Sequence, residues 1–322
     1  MSRPDWVYYR SAGFPAGGLI PKDEAAISPN DRGFLFADGV YEVMRSYSGR
    51  LFRPGEHLAR LAHSLEVVRI PFSDTAGLTT VARELLRRNG LDLCDATVLI
   101  QVTRGVSPRM VAAPREPLLP TVYVETSRLE PEIAGTVPRR VGRRRSMGLS
   151  PDFAGVSVIT VPDTRWSRCD VKAIGLLPNV LARFQATEAG ADEAVFVRDG
   201  VATEGTHTNV FGVLSGTVVT HAADNHVLAG ITRSVVLELC RAHGLPVAET
   251  GIREEQLPSL DEMFLSATTA EVTPVVKVNG RLVGDGRPGP IARRLQSAFR
   301  EYIEAEGAKR ERMKEEGGKR KG

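Results

Sequence analysis

Two residues of opposite charge, Lys172 and Glu204, are of the types that could carry out chemistry together. Lys172 lies between the apolar neighbours Val171 and Ala173, a poor position for a lysine that serves only solubility. A partly buried lysine can hold an aldehyde cofactor as a Schiff base, and a carboxylate facing a pyridine ring keeps the ring nitrogen protonated. The pair would suit pyridoxal-phosphate chemistry, but for a lone lysine a place at the edge of a strand is the commoner explanation, so the two residue types alone leave the question open.

Short strands, tight turns and helices must position these two residues. The sequence predicts that Lys172 ends a strand and that a helix follows from Pro178 to Ala189, because proline is accepted in the first helical turn. Asp199-Gly200 and Ser215-Gly216 are typical hairpin turns. Further on, a glycine turn leads into an apolar helix near Ile231 and Thr232, and free amides at a helix start can bind phosphate. Such helix starts are common, so this pattern alone leaves the phosphate site open.

The N-terminal half predicts a small domain of strands and amphipathic helices, with a turn at Gly17-Gly18. Apolar residues at Leu58, Leu61 and Leu65 recur at helical spacing and mark a buried helix face. Arg60 lies beside that stripe, where periodicity alone predicts a solvated residue. The predicted elements are strands at Val7–Tyr9, Val40–Tyr47, Leu51–Phe52 and Ala96–Thr103 and helices at Glu56–Ile70 and Thr79–Arg88.

Composition limits the class of protein. The chain of 322 residues has 42% hydrophobic and 25% charged residues and a net charge of +3, which is typical of an enzyme with two domains and gives no reason to expect a nucleic-acid partner. Three cysteines without paired spacing favour a reducing cytoplasm. No apolar run suits a membrane span, and the six histidines form no metal-binding motif, so we expect neither a membrane segment nor a metal site.

Several longer strings resemble one known family. CDVKAIGLLPNVLA and GADEAVFVRDGVATEGTHTNVFGV, together with DRGFLFADGVYEV, EHLARL and TRGVSPR, are similar to the signature of the class IV aminotransferases, which are fold-type IV pyridoxal-phosphate enzymes. The resemblance covers roughly residues 30–300 and is closest to the D-amino-acid (D-alanine) aminotransferases. It implies a mixed α+β fold of two domains, a small α/β domain and a larger domain with a mostly β pseudo-barrel core and flanking helices.

On this basis we divide the chain into contiguous parts. The small domain is predicted over 1–127, a linker or insertion over 128–150, the large cofactor-binding domain over 151–306, and a disordered tail over 307–322. The last helix is predicted from Pro290 to Ile303. The linker contains five arginines between Arg139 and Arg145, which are typical of a solvated face and to which we assign no function.

The resemblance also implies roles for individual residues. Lys172 and Glu204 are the catalytic pair. In D-amino-acid aminotransferases the loop that matches Arg109 presents an arginine and a histidine to the substrate carboxylate of the neighbouring subunit, but here the histidine is absent and the chain reads Met110-Val111-Ala112. Besides Lys172 and Glu204, the residues implied to bind pyridoxal 5′-phosphate are Arg60, Thr208, Asn209, Leu228, Ile231, Thr232 and Thr268. Those implied to line the substrate pocket are Phe36, Tyr41, Val43, Arg109 and Thr269.

The implied activity is transfer of an amino group from a D-amino acid such as D-alanine to 2-oxoglutarate or pyruvate, with (R)-amines as side substrates. The implied assembly is a homodimer in which the neighbouring subunit completes the pocket. Three alternatives stay open at this point. The same fold serves branched-chain L-amino acids, aminodeoxychorismate lyase uses the same lysine to release pyruvate, and a protein could carry the cofactor without turnover.

Overall fold

The computed structural model describes residues 5–112, 114–129 and 154–319, and these residues pack as two compact units. The first unit contains the described residues up to 129 together with Arg165–Pro178 and Ala223–Ile231. The second contains the described residues from 154 to 164, Asn179–Ala222 and those from Thr232 onward. The two units are therefore interleaved along the chain. The contiguous boundaries of the sequence analysis stay a prediction, and the arginine-rich segment lies outside the described residues.

The first unit is built on a six-stranded sheet in the order β2-β1-β6-β5-β3-β4. Its core is a cluster of buried aliphatic side chains from the sheet and its helices, among them Met44, Leu61, Leu85 and Ile100. Its strands are β1 (Trp6–Ser11), β2 (Phe14–Pro21), β3 (Gly39–Tyr47), β4 (Arg50–Leu51), β5 (Ala96–Thr103) and β6 (Thr121–Arg128). Its helices are α1 (Arg32–Phe36), α2 (Pro54–Val67) and α3 (Leu78–Arg88).

The second unit contains a ten-stranded sheet that closes on itself. Six strands form the ring β10-β14-β15-β7-β8-β9, and the pairing of β9 with β10 closes it. The strands are β7 (Val156–Pro162), β8 (Glu193–Arg198), β9 (Val201–Gly205), β10 (Asn209–Leu214), β11 (Thr217–Thr220), β12 (Val247–Ala248), β13 (Ile252–Arg253), β14 (Glu262–Ala267), β15 (Glu271–Val278) and β16 (Arg281–Leu282). The helices are α4 (Leu177–Glu188), α5 (Ile231–Ala242) and α6 (Pro290–Lys319).

This architecture confirms the predicted fold class, a mixed α+β protein with a small sheet-and-helix part and a larger part around a β-barrel. The turns at Asp199-Gly200, Ser215-Gly216 and Asn279-Gly280 have positive φ at both residues, as a tight hairpin turn requires. No helix in the described part of the chain has a stretch both long and apolar enough to cross a membrane.

Three local predictions were wrong. Gly17-Gly18 lies inside β2, and the chain turns earlier, before Phe14. Lys172 does not end a strand, because the segment around it is a loop bonded to β3. α6 continues past Ile303, where the sequence analysis ended the last helix, to Lys319, and the tail over 307–322 stays a prediction. That tail is rich in Ala, Glu, Lys and Arg, which have a high intrinsic preference for the helix.

Gly105 provides a test of the close packing behind α1. Its φ is +101°, and a Cβ there would meet the carbonyl oxygen of Leu119. We expect Gly105→Ala to lower the free energy of unfolding by about 2–4 kcal/mol, from the left-handed backbone and the clash together. Gly190→Ala is the matched control, since Gly190 has a φ of +69° but open space around it.

The measurement is urea denaturation of both variants beside the unmodified protein. Gly190→Ala should cost only about 1–2 kcal/mol, the backbone contribution alone. Equal losses in the two variants would contradict the role given to the Leu119 contact.

Candidate active site

Lys172 is held by its backbone against β3 and α2. Its carbonyl accepts a hydrogen bond from Tyr41 N at 2.9 Å, and its own amide donates to Ser64 Oγ at 3.2 Å. Next to it, Ala173 forms an isolated bridge with Val40. The side chain is half-buried, and Nζ lies 4.4 Å from the centre of the Tyr41 ring. The structure therefore brings together Lys172 and Tyr41, two of the predicted site residues.

Tyr41 and Val43 lie on one face of β3 because side chains alternate along a strand, and both are half-buried. The residue between them, Glu42, faces the other side and is completely buried. A carboxylate without access to water needs charged or hydrogen-bonding partners. β3 thus presents substrate-pocket candidates on one face and a buried charge on the other.

The partners of Glu42 come from α2. Arg60 donates to it through Nε at 2.9 Å and Nη2 at 2.7 Å, and His57 Nδ1 lies 3.0 Å from Oε1. Burial alone would raise the pKa of Glu42, but the charges and hydrogen bonds of Arg60 and His57 hold it far below its usual value. Burial lowers the pKa of His57 despite the attraction of Glu42.

Arg60 also reaches the segment that precedes α5. Its Nη1 donates to the carbonyl of Ala229 at 2.8 Å, which places the guanidinium beside the stretch that contains Leu228 and Ile231. Periodicity had predicted a solvated Arg60, and this was wrong, because only 10% of the side chain is exposed. Of the five N–H groups of an arginine, one on Nη1 and one on Nη2 have no partner among the described residues.

In the second unit, Glu204 and Asn209 lie directly opposite each other where β9 and β10 close the barrel. Asn209 Nδ2 donates to Glu204 Oε2 at 3.3 Å. Two hydroxyl groups of the same unit, Thr208 Oγ1 and Ser266 Oγ, are buried and have no hydrogen-bond partner in the described part of the chain. Ser266 is paired with Asn209 in the sheet register. Buried hydroxyl groups without partners are uncommon and are candidates for ligand contacts.

A second buried carboxylate fixes the turn between Glu204 and Asn209. Glu193, only 1% exposed, accepts from Thr206 Oγ1 at 2.6 Å, and His207 Nδ1 lies 3.0 Å from its other oxygen. Burial alone would raise the pKa of Glu193, but the charge and hydrogen bond of His207 lead the effects that lower it to about 2. Asn179 Nδ2 adds a bond to the Thr206 carbonyl at 2.7 Å.

The remaining predicted residues lie in turns and at a helix start. Thr268 and Thr269 are half-buried in the turn between β14 and β15, and Thr232 is buried in the first turn of α5. Phe36 and Arg109 are in contact, since the Arg109 guanidinium lies 5.7 Å from the centre of the Phe36 ring. Among the described residues, no group of three or more His, Cys, Asp and Glu side chains is arranged to bind a metal ion.

Sequence reasoning missed the residues that hold the site in place. A signal was available for Glu42, which is a lone carboxylate inside the apolar strand GVYEV. The signal for Glu193 was weaker, because Glu193 follows Asp192 directly and begins the apolar strand EAVFV. Their partners His57 and His207 gave no comparable signal. Ser64 and Ser266 could not be distinguished from ordinary small polar residues by spacing.

Comparison with known proteins tests the family resemblance that the sequence motifs indicated. The family model described as amino-transferase class IV matches residues 39–278. A D-alanine aminotransferase of Staphylococcus haemolyticus is 37% identical over 293 residues, covering 91% of this chain and 98% of the relative. Another, of Bacillus licheniformis, is 38% identical over 295 residues, covering 91% of this chain and 97% of the relative. The resemblance inferred from the motifs is confirmed.

Solved structures give a related result. The branched-chain amino acid aminotransferase of Escherichia coli has a TM-score of 0.77 at 25% identity, covering 92% of this chain and 93% of that one. A second branched-chain amino acid aminotransferase, from T.th. and complexed with N-(5′-phosphopyridoxyl)-L-glutamate, has a TM-score of 0.76 at 26% identity, with 94% of each chain covered. The backbone is thus shared with enzymes named for a different substrate class.

The Glu193 cluster yields a prediction about pH. The pKa of Glu193 is lowered from 4.5 to about 2, so its contribution to stability is complete above pH 4.5 and is lost as the pH falls toward 2. We expect Glu193→Gln to lower the free energy of unfolding at neutral pH by about 1–3 kcal/mol. The difference from the unmodified protein should be at its full size at about pH 6 and should shrink as the pH falls from 4.5 toward 2.

Urea denaturation across that pH range measures both effects. Glu84→Gln is the matched control, because Glu84 forms an exposed pair with Arg87 on α3 and its loss should leave stability unchanged within error. A Glu193→Gln deficit that stays constant down to the lowest pH would show that the charge of Glu193 is not what stabilises the turn.

Proposed function

This chain belongs to the class IV aminotransferase family, and we propose that it transfers the amino group of a D-amino acid, such as D-alanine, to 2-oxoglutarate or pyruvate, with (R)-amines as side substrates. The observation that carries the proposal is the match of nearly the whole chain to relatives named D-alanine aminotransferase. The half-buried Lys172 beside Tyr41 supplies the amine that such a transfer requires.

We propose pyridoxal 5′-phosphate as the resident cofactor. When bound, it supplies an electron sink for the negative charge that develops at the substrate α-carbon. Two observations support it: the buried hydroxyls of Thr208 and Ser266 have no partner among the described residues, and Arg60 keeps two N–H groups for phosphate oxygens. The residues assigned to hold it are Arg60, Lys172, Glu204, Thr208, Asn209, Leu228, Ile231, Thr232 and Thr268.

Within this reaction the residues have different tasks. Lys172 Nζ anchors the cofactor and then, once free, moves a proton to and from the substrate α-carbon. The Glu204 carboxylate, supported by the amide of Asn209, holds the proton of the pyridine nitrogen. The Glu42–Arg60 pair orients the phosphate-binding guanidinium and takes no part in proton transfer.

Substrate recognition is assigned to Tyr41, Val43, Phe36, Thr269 and Arg109. Arg109 is exposed and has no carboxylate partner in the part of the chain that the structure describes, so its charge is available to a substrate carboxylate. We further propose that the protein is a homodimer in which Arg109 serves the neighbouring subunit, and that it works in the cytoplasm.

The second candidate is a branched-chain L-amino-acid aminotransferase, which is favoured by the two structural neighbours described above. A backbone shared at about a quarter identity leaves stereochemistry open, because the fold does not fix which face of the substrate meets the lysine. An aminodeoxychorismate lyase would be recognised by pyruvate formed without any amino acceptor.

A half-reaction followed by absorbance tests the function. The protein loaded with cofactor is expected to be yellow, and D-alanine without acceptor should bleach it at least about 100-fold faster than L-leucine. Lys172→Ala should abolish the bleaching, whereas Lys277→Ala, which removes an exposed lysine of β15, should leave it unchanged. Faster bleaching by L-leucine would move the protein to the branched-chain group.

Mixing two inactive variants tests the shared pocket. Lys172→Ala and Arg109→Ala should each lose most activity with D-alanine. When equal amounts are unfolded and refolded together, half of the dimers are hybrids with one intact site, so we expect about a quarter of full activity. No recovery, with hybrid dimers present by mass spectrometry, would mean that Arg109 acts within its own chain.

A further inference from the structure

Arg32 is a buried arginine that the proposed reaction does not use. Only 7% of its side chain is exposed, and it lies at the start of α1. An arginine is rarely buried unless its N–H groups are bound by specific partners, so the identity of those partners indicates what it does.

The charge of Arg32 is balanced by Asp38. Arg32 Nε donates to Asp38 Oδ2 at 2.8 Å, and Arg104 donates to the same carboxylate through Nε at 2.8 Å and Nη2 at 2.9 Å. Burial alone would raise the pKa of Asp38, but hydrogen bonds and charges from Arg104 and Arg32 bring it below its usual value. The carboxylate thus stays charged and fixes both guanidinium planes.

The remaining contacts of Arg32 go to the loop that carries Arg109. Its backbone amide donates to the carbonyl of Gly105 at 2.9 Å, at the start of the loop. Its Nη1 donates to the carbonyl of Met110 at 2.7 Å, directly after Arg109. One residue therefore holds both ends of the segment 105–110.

A shared aromatic ring adds a third link. The Arg32 guanidinium lies 4.9 Å from the centre of the Phe36 ring, and the Arg109 guanidinium lies 5.7 Å from the same centre. Cations at these distances are attracted to the ring. The backbone of Arg109 is thus fixed through the Met110 carbonyl, and its side chain through Phe36.

We propose that Arg32 is a positioning residue for recognition of the substrate carboxylate, and that it acts through Arg109. This inference rests on the proposed function, in which Arg109 binds that carboxylate. It also accounts for carboxylate binding without the histidine that the related loops carry, because a single arginine held in place loses less freedom on binding than a mobile one.

The test compares Arg32→Lys with Arg104→Lys. Both variants keep the positive charge beside Asp38, but Arg104 donates its other N–H groups to the carbonyls of Arg69 and Val68 instead of Met110. For Arg32→Lys we expect the KM for D-alanine to rise about tenfold while kcat changes less than about twofold. Arg104→Lys should leave the KM within about twofold of the unmodified protein.

A double-mutant cycle separates positioning from general damage. In an Arg109→Ala background, Arg32→Lys should produce no further rise in KM, because the residue through which it acts is gone. A full additional rise, or a loss of kcat with KM unchanged, would overturn the proposal. If Arg32→Lys does not fold, judged by thermal denaturation, Arg32→Gln takes its place in the cycle and should show the same dependence on Arg109.

A binding measurement distinguishes a wrong role for Arg32 from a wrong proposed function. The dissociation constant of propionate, a carboxylate that cannot react, is measured by calorimetry on the same variants and should rise about tenfold for Arg32→Lys. If the unmodified protein does not react with D-alanine, the function is wrong, whereas unchanged propionate binding in Arg32→Lys contradicts the role of Arg32.

Discussion

The buried charge of Glu42 is the constraint on which the first unit depends. A carboxylate with no exposure to water is stable only when paired, and here Arg60 and His57 from α2 provide the pairing. The pair fixes α2 against β3, and α2 in turn supplies the Ser64 hydroxyl that binds the Lys172 amide. The position of Lys172, the proposed catalytic lysine, thus follows from an ion pair of which it is not a member.

The second unit also contains a buried carboxylate that fixes the backbone, but there its partners come from a turn and not from a helix. Glu193 lies at the start of β8 and holds Thr206 and His207 in the turn between β9 and β10, the pair of strands that closes the barrel. Glu204 and Asn209 stand at the two ends of that turn. In both units a fully buried carboxylate, far from water, fixes the backbone beside a residue that is proposed to do chemistry.

The residues proposed for chemistry and the residue proposed for substrate selectivity lie in different kinds of structure. Lys172 and Glu204 are bonded to strands of the two sheets, where the hydrogen-bond ladders resist displacement. Arg109 is carried by an exposed loop, which is held in place by Arg32 and Phe36 and not by a ladder. Such a loop can change its sequence without disturbing the sheets, which is consistent with one backbone serving enzymes of different substrate classes.

Much of this protein was determined by sequence alone, because local conformation depends on neighbouring residues. The hairpin turns at Asp199-Gly200 and Ser215-Gly216 were predicted correctly, since few residue pairs accept two positive φ angles. The same holds for the apolar face of α2. The motif strings also identified the family correctly, because their residues occur at fixed spacing, whereas the role assigned to Lys172 stays a prediction.

Only the tertiary structure decided which residues bind the charged side chains and the Lys172 loop in place. Periodicity placed Arg60 in solvent, but packing brings it onto Glu42 and Ala229, residues distant in sequence. The sequence predicted that Lys172 ends a strand, but the segment is a loop that is hydrogen-bonded to β3. Burial of a charge, and the partner that balances it, arise only when separate elements pack together, so no local pattern contains them.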